Sequence, residues 1–159
     1  MDISHYLKTA GLNFREEKGE AWISLEPRNL HDMLSHLKQN GFPRLSAISG
    51  VDTGKAVELI YHVFSESYYV NIRVPLPKKG LEIKTVTGIY PGANLFEREV
   101  HEMLGVFFPG HPNLDLLFLN ENSPHTPLRK DEMEGRRQET PSSTESPSSH
   151  GTKAEKRSK

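Results

Sequence analysis

Two short runs of this sequence invite a chemical reading. His101-Glu102 has the opening of an HExxH zinc helix, in which histidines at i and i+4 face one metal and the glutamate serves as base. Position 105 is glycine, so the second histidine is missing, and His111 lies beyond Pro109-Gly110, which ends a helix first. No third ligand is indicated. The pattern therefore argues against a zinc hydrolase, and no metal is assigned to the chain. Glu97, Glu99 and Glu102 are the other candidates, because helical spacing sets Glu97 near His101 and Arg98 near Glu102, and paired carboxylates can do acid–base work. The plainer reading pairs Arg98 with Glu102 and gives Glu97 to the cap of its own helix. A nucleophile beside a base is also wanting: no GxSxG elbow occurs, and serine and threonine concentrate toward the C-terminus. No catalytic residue is assigned.

Composition closes further routes. Cysteine is absent, which removes disulfides, thiolate nucleophiles, thiolate-bound zinc and any ordinary iron–sulfur cluster held by this chain alone. No GxGxxG or GxxxxGK[ST] loop is present to cradle a nucleotide. With 20 Lys and Arg against 21 Asp and Glu, the formal charge of −1 provides no field to gather nucleic acid or anionic lipid. No run approaches the roughly 20 apolar residues needed to span a bilayer, and the first residues lack the basic-then-apolar order of a signal peptide. The expectation is a cytoplasmic protein that meets a membrane only through partners. His31 and His36, five apart, fall on different sides of a helix, and His62 alternates away from the apolar face of its strand. Met103 and Phe107-Phe108 read as core rather than as a cofactor box.

The elements that must position these residues follow from periodicity. Ile3, Tyr6, Leu7 and Ala10 predict a short helix stopped by Gly11, and Leu12 to Glu16 with Ala21 to Glu26 predict a hairpin across Lys18-Gly19-Glu20. Pro27 opens a helix whose apolar stripe is Leu30, Met33, Leu34 and Leu37 and whose end is Gly41 with Pro43. Three extended runs come next, Arg44 to Val51, Ala56 to Phe64 and Tyr68 to Leu76, joined by turns short enough to make antiparallel neighbours. Val57, Leu59, Tyr61 and Val63 share one face of the middle run; Tyr68, Val70, Ile72 and Val74 share one face of the last. Asn94 and Glu97 have capping-box spacing ahead of a helix from about Leu95 to Leu104, with Gly105 as its stop. The order predicts an α+β fold, two-layer, a mainly antiparallel sheet with helices packed on one side, occupying residues 1–131. Residues 132–159, rich in Ser, Thr, Pro and charge, cannot bury enough to offset their ordering entropy and read as a disordered tail.

The stretch from Glu97 to Pro112, EREVHEMLGVFFPGHP, resembles the signature of the complex I 30 kDa subunit family, found in NADH-quinone oxidoreductases. Pro127-Leu128-Arg129-Lys130-Asp131 resembles the family's downstream PLRKD. His101 stands where respiratory members often carry an aromatic residue, and Glu132 where proline often follows PLRKD; both are similar to the energy-converting hydrogenase and archaeal branches. The resemblance implies a non-catalytic scaffold subunit in the peripheral arm of a membrane-bound, ion-pumping oxidoreductase, on the cytoplasmic side of the cell membrane. Such a subunit binds no cofactor. Iron–sulfur clusters and quinone, or nickel–iron in a hydrogenase, would sit on its partners: a large quinone-site or hydrogenase-like subunit and a cluster-bearing small subunit. The alternative within the family is the equivalent subunit of an energy-converting [NiFe] hydrogenase or of an archaeal deazaflavin-dependent dehydrogenase. A free-standing adaptor that recruits through its tail is the rival from another class. The residues expected at the partner interface are Arg98, Glu99, His101, Glu102, His111, Pro112, Arg129, Lys130 and Asp131.

Overall fold

The computed structural model describes Leu7 and residues 14–66, 68–120 and 122–131. The predicted first helix and the predicted tail lie outside the described residues, except for Leu7, which is helical and fully buried. The hairpin forms as β1 (Phe14–Glu17) and β2 (Glu20–Ser24), turning on Lys18 and Gly19, both at positive φ. Glu20 belongs to the strand rather than to the turn. Helix α1 (Pro27–Gln39) begins with Pro27 in its first turn, where a missing N–H leaves no bond unmade, and buries Leu30, Met33, Leu34 and Leu37 as one stripe.

Strands β3 (Arg44–Asp52), β4 (Ala56–Phe64) and β5 (Tyr69–Pro77) form the expected antiparallel meander. The sheet order is β1-β2-β5-β4-β3, so the hairpin joins the meander through a parallel pairing of β2 with β5. Val57, Leu59, Tyr61 and Val63 are completely buried, as are Val70, Ile72 and Val74 beside them, because a period of two puts every second side chain on the helix-covered face. Helices α1 and α2 (Ala93–Leu104) contribute to that same core, α1 through its stripe and α2 through Ala93, Val100 and Leu104.

Helix α2 starts two residues earlier than its sequence pattern predicts, and Asn94 is not its cap. Gly92 occupies the cap position without a side-chain bond, and the Ala93 and Asn94 N–H groups donate to the carbonyls of Tyr90 and Pro91. A backbone turn thus satisfies the first donors and leaves Asn94 and Glu97 free of that duty. The other end follows the pattern: Gly105 takes the left-handed conformation, φ 75°, and its N–H donates to the His101 carbonyl. Between β5 and α2 the chain has little regular structure. Its stretch 81–85 is stitched to 107–109 by bonds from Ile83 N–H to Phe107, Phe107 N–H to Leu81 and Thr85 N–H to Pro109.

Candidate functional site: a clamped C-terminal segment

Beyond α2 the chain runs from Val106 to Asp131 in turns and extended stretches, and side chains of α2 hold it in place. Arg98 lies one turn from Glu102, yet the two do not pair. The Arg98 guanidinium donates to the carbonyls of Asp115 (3.0 Å) and Leu116 (2.9 Å). Glu102, 4% exposed, accepts from the N–H groups of Leu117, Phe118 and Leu119, the shortest at 2.6 Å. The i, i+4 pair thus grips five consecutive residues, the cation on their carbonyls and the anion in a nest of successive N–H groups. That geometry corrects the expected ion pair: an irregular segment lying along the helix offered each charge several backbone partners in place of one another.

Glu97 is the second correction. It neither caps α2 nor meets His101; fully buried, it accepts from the Thr85 hydroxyl (2.5 Å) and the Val86 N–H (2.7 Å), and so ties the irregular stretch before α2 to the helix. Burial raises its pKa, and those two bonds only partly offset the rise. His111 Nε2 stands 3.8 Å from the Glu97 carboxylate and donates to the Asn94 carbonyl, while its Nδ1 accepts from the Asn113 N–H. The His101 Nδ1–H donates to the Val106 carbonyl at 2.8 Å, turning the chain as it leaves α2.

Asp52, at the end of β3, anchors the far end of the segment, a role its sequence position in a turn does not announce. It is 4% exposed and accepts from the N–H groups of Gly54 and Lys130 and from the Lys78 ammonium, with the Arg129 Nε at 3.7 Å. Burial alone would raise its pKa; these donors outweigh it and the net shift is downward. Arg129 also forks onto Asp131, which Lys78 contacts as well, and the Asp131 pKa falls in consequence. Leu128 N–H donates to the Met103 carbonyl, and Thr126 sits so close over Gly105 that a Cβ there would lie 2.9 Å from its Cγ2.

All nine expected interface residues therefore lie on α2 or on the segment it holds, but they do not all face outward. Glu99, Pro112, Lys130 and Asp131 are exposed; Arg98, His101, Glu102, His111 and Arg129 spend their polar atoms inside the chain. The outward surface belongs instead to Leu95, Phe107, Leu116, Phe118 and Leu128, with Phe118 68% exposed. Sequence reasoning took Phe107 for core and passed over the rest, although the uncharged LLFL run after Asp115 carries the signal.

Comparison with known proteins gives the family. Residues 23–138 match the family described as respiratory-chain NADH dehydrogenase, 30 kDa subunit. The chain belongs to this family. The C-type subunit of a NADH-quinone oxidoreductase from Mesorhizobium japonicum is 33% identical over 120 residues, 71% of this chain and 60% of the relative, so the chain spans under two thirds of that protein's length. A Pseudomonas fluorescens relative, 40% identical over 84 residues, is named as a joint C/D subunit of the same kind of enzyme; the match takes up 52% of this chain and 14% of the relative. Among solved structures, the trypsin-resistant fragment of Nqo5 superposes with a TM-score of 0.63 at 24% identity, over 70% of this chain and 96% of that one. A polypeptide of an archaeal membrane-bound sulfane sulfur reductase superposes with a TM-score of 0.73 at 21% identity, over 94% of this chain and 96% of that one. Both share the fold of the 30 kDa subunit family. Among the described residues, no group of three or more His, Cys, Asp and Glu could hold a metal ion, and no helix is long and apolar enough to cross a membrane.

Proposed function

We propose that this chain is a non-catalytic scaffold subunit in the peripheral arm of a membrane-bound, ion-pumping oxidoreductase of the NADH-quinone type, and that it docks on the large quinone-site subunit through the segment clamped on α2. The observation that carries the reading is the clamp itself. Arg98 and Glu102 fix the backbone of 115–119 so that Leu116 and Phe118 stand in solvent, which removes ordering cost from binding before a partner arrives. Large side chains in a rigid setting are what interface hot spots are made of, and the exposed Glu99, Lys130 and Asp131 supply polar groups beside them, with Pro112 a further exposed contact. Arg98, His101, Glu102, His111 and Arg129 shape that surface from beneath. The partner assignment rests on the family and on the Pseudomonas relative, whose name joins C and D in one protein. Clusters and quinone would sit on partner subunits, since a chain without cysteine supplies no thiolate.

Affinity purification of the tagged chain from membranes in mild detergent, with mass spectrometry of what is retained, tests this reading. The expected result is recovery of the large subunit, cluster-bearing subunits and multi-spanning membrane subunits, peripheral association with the membrane being through the complex. Recovery of the chain by itself would contradict it.

A further inference from the structure

Among the described residues the five-stranded sheet has two free edges, and they are built differently. Edge strand β1 has four residues, three of them charged (Arg15, Glu16, Glu17), which blunts it against further pairing. Edge strand β3 has nine residues and, among the described residues, pairs with β4 alone. A bulge disrupts its register between Leu45 and Ala47, at the end that carries Arg44. From Ala47 to Val51 the strand is regular and uncharged, and Ser49 and Val51 are exposed.

Along that same half runs a groove of about 370 Å³ between β3 and α2, with apolar walls from Ile48, Phe96, Val100, Met103 and Leu128 and one carboxylate, Glu99. Gly50 permits the close approach of the two elements; a Cβ there would lie 2.4 Å from Leu104 Cδ1. Leu128 belongs both to this groove and to the clamped segment, and the Lys130 N–H reaches Asp52 at the end of β3, so the chain leaves the described fold beside the open edge.

We infer that the Ala47–Val51 half of β3 and the adjoining groove receive an extended segment of the large partner subunit as a sixth strand. This rests on the docking reading given above. Backbone pairing to β3 would supply affinity, and alternate apolar side chains of the incoming strand would enter the groove. The charges flanking the groove define the rest of that strand: a basic residue opposite Glu99 and acidic ones toward Arg44 and Lys130, all three of which are exposed. The occupant is the partner rather than residues 132–159 of this chain, whose only aliphatic side chains are Met133 and Ala154 and which cannot fill an apolar groove; the C/D relative, which carries both names in one protein, indicates the large subunit as that partner.

The test uses the full-length chain assembled in its complex. A photo-crosslinking phenylalanine analogue replaces Ser49, and amide hydrogen exchange of residues 47–51 is compared between the complex and the isolated chain. The expected result is a crosslink to one extended segment of the large subunit and exchange slowed by about tenfold or more on assembly. An intact complex whose β3 amides exchange as freely as before, or whose crosslinks go to another subunit, to residues 132–159 of the same chain or to a second copy, overturns this inference and leaves the docking reading standing. Failure of the unsubstituted chain to yield any complex overturns both.

Discussion

The sheet with α1 and the segment clamped on α2 are held together by different physics. In the sheet, completely buried Val57, Leu59, Tyr61 and Val63 face equally buried Val70, Ile72 and Val74, and the backbone groups satisfy one another in ladders. The segment from Val106 to Asp131 has few buried side chains; two acids and two arginines, Glu102, Asp52, Arg98 and Arg129, hold it by bonds to groups far away in sequence or to one another. Apolar burial makes a fold, whereas charge-to-backbone bonding fixes a surface without consuming its apolar side chains. Only the second leaves Leu116 and Phe118 available to a partner.

Substitution separates the two regions, and the largest effect belongs to the sheet. Leu59→Ala removes a fully buried side chain and should cost about 2–5 kcal/mol of global stability, read as a lower urea midpoint with an unchanged slope. Glu102→Ala should act locally: it leaves the N–H groups of Leu117, Phe118 and Leu119 without their acceptor, at about 1–3 kcal/mol. Amide protection should be lost at those three residues while β4 and β5 stay protected, and added formate or acetate should restore part of it by refilling the nest. Equal loss of protection in both regions would abolish the distinction.

Gly105→Ala sits at the joint between the regions. The left-handed φ of 75° and the 2.9 Å approach of Thr126 make it unfavourable by about 1–2 kcal/mol, and the expected sign is faster proteolysis near residues 126–131 with the sheet intact. Still smaller are two pH effects of opposite sign. Asp52 has a folded pKa below its unfolded value, so its contribution is present above the unfolded pKa and fades as pH falls through the folded one. Glu97 has a raised folded pKa, so its contribution is full below the unfolded pKa and is lost as pH rises through the folded one. Stability against pH should flatten on the acidic side in Asp52→Asn and on the rising side in Glu97→Gln, measured by thermal unfolding across the acid range.

The same division decides what could be read from sequence. The strand faces, the stripe of α1 and the stop at Gly105 were legible because periods of two and 3.6 and a positive-φ glycine are local properties of the chain. The roles of Glu97, Arg98 and Glu102 were not, because their partners lie 11 to 18 residues away and, the Thr85 hydroxyl apart, are backbone atoms, which have no identity in a sequence. Local spacing offered each of these residues a neighbour one turn along the helix, and tertiary structure offered better. Asp52 reads as an ordinary turn residue for the same reason: the Lys130 N–H that it holds is 78 residues away. The parallel joint between β2 and β5 was equally invisible, since it depends on where α1 returns the chain.

The central claim is that the clamped segment is a docking surface, and the double substitution Leu116→Asp with Phe118→Asp tests it most directly. Both side chains stand in solvent, so the isolated variant should unfold at the same temperature as the parent. In affinity purification from mild-detergent membranes, the account predicts that recovery of the large subunit falls by about tenfold or more, as for loss of interface anchors. Full recovery of the complex by a folded double variant would contradict it.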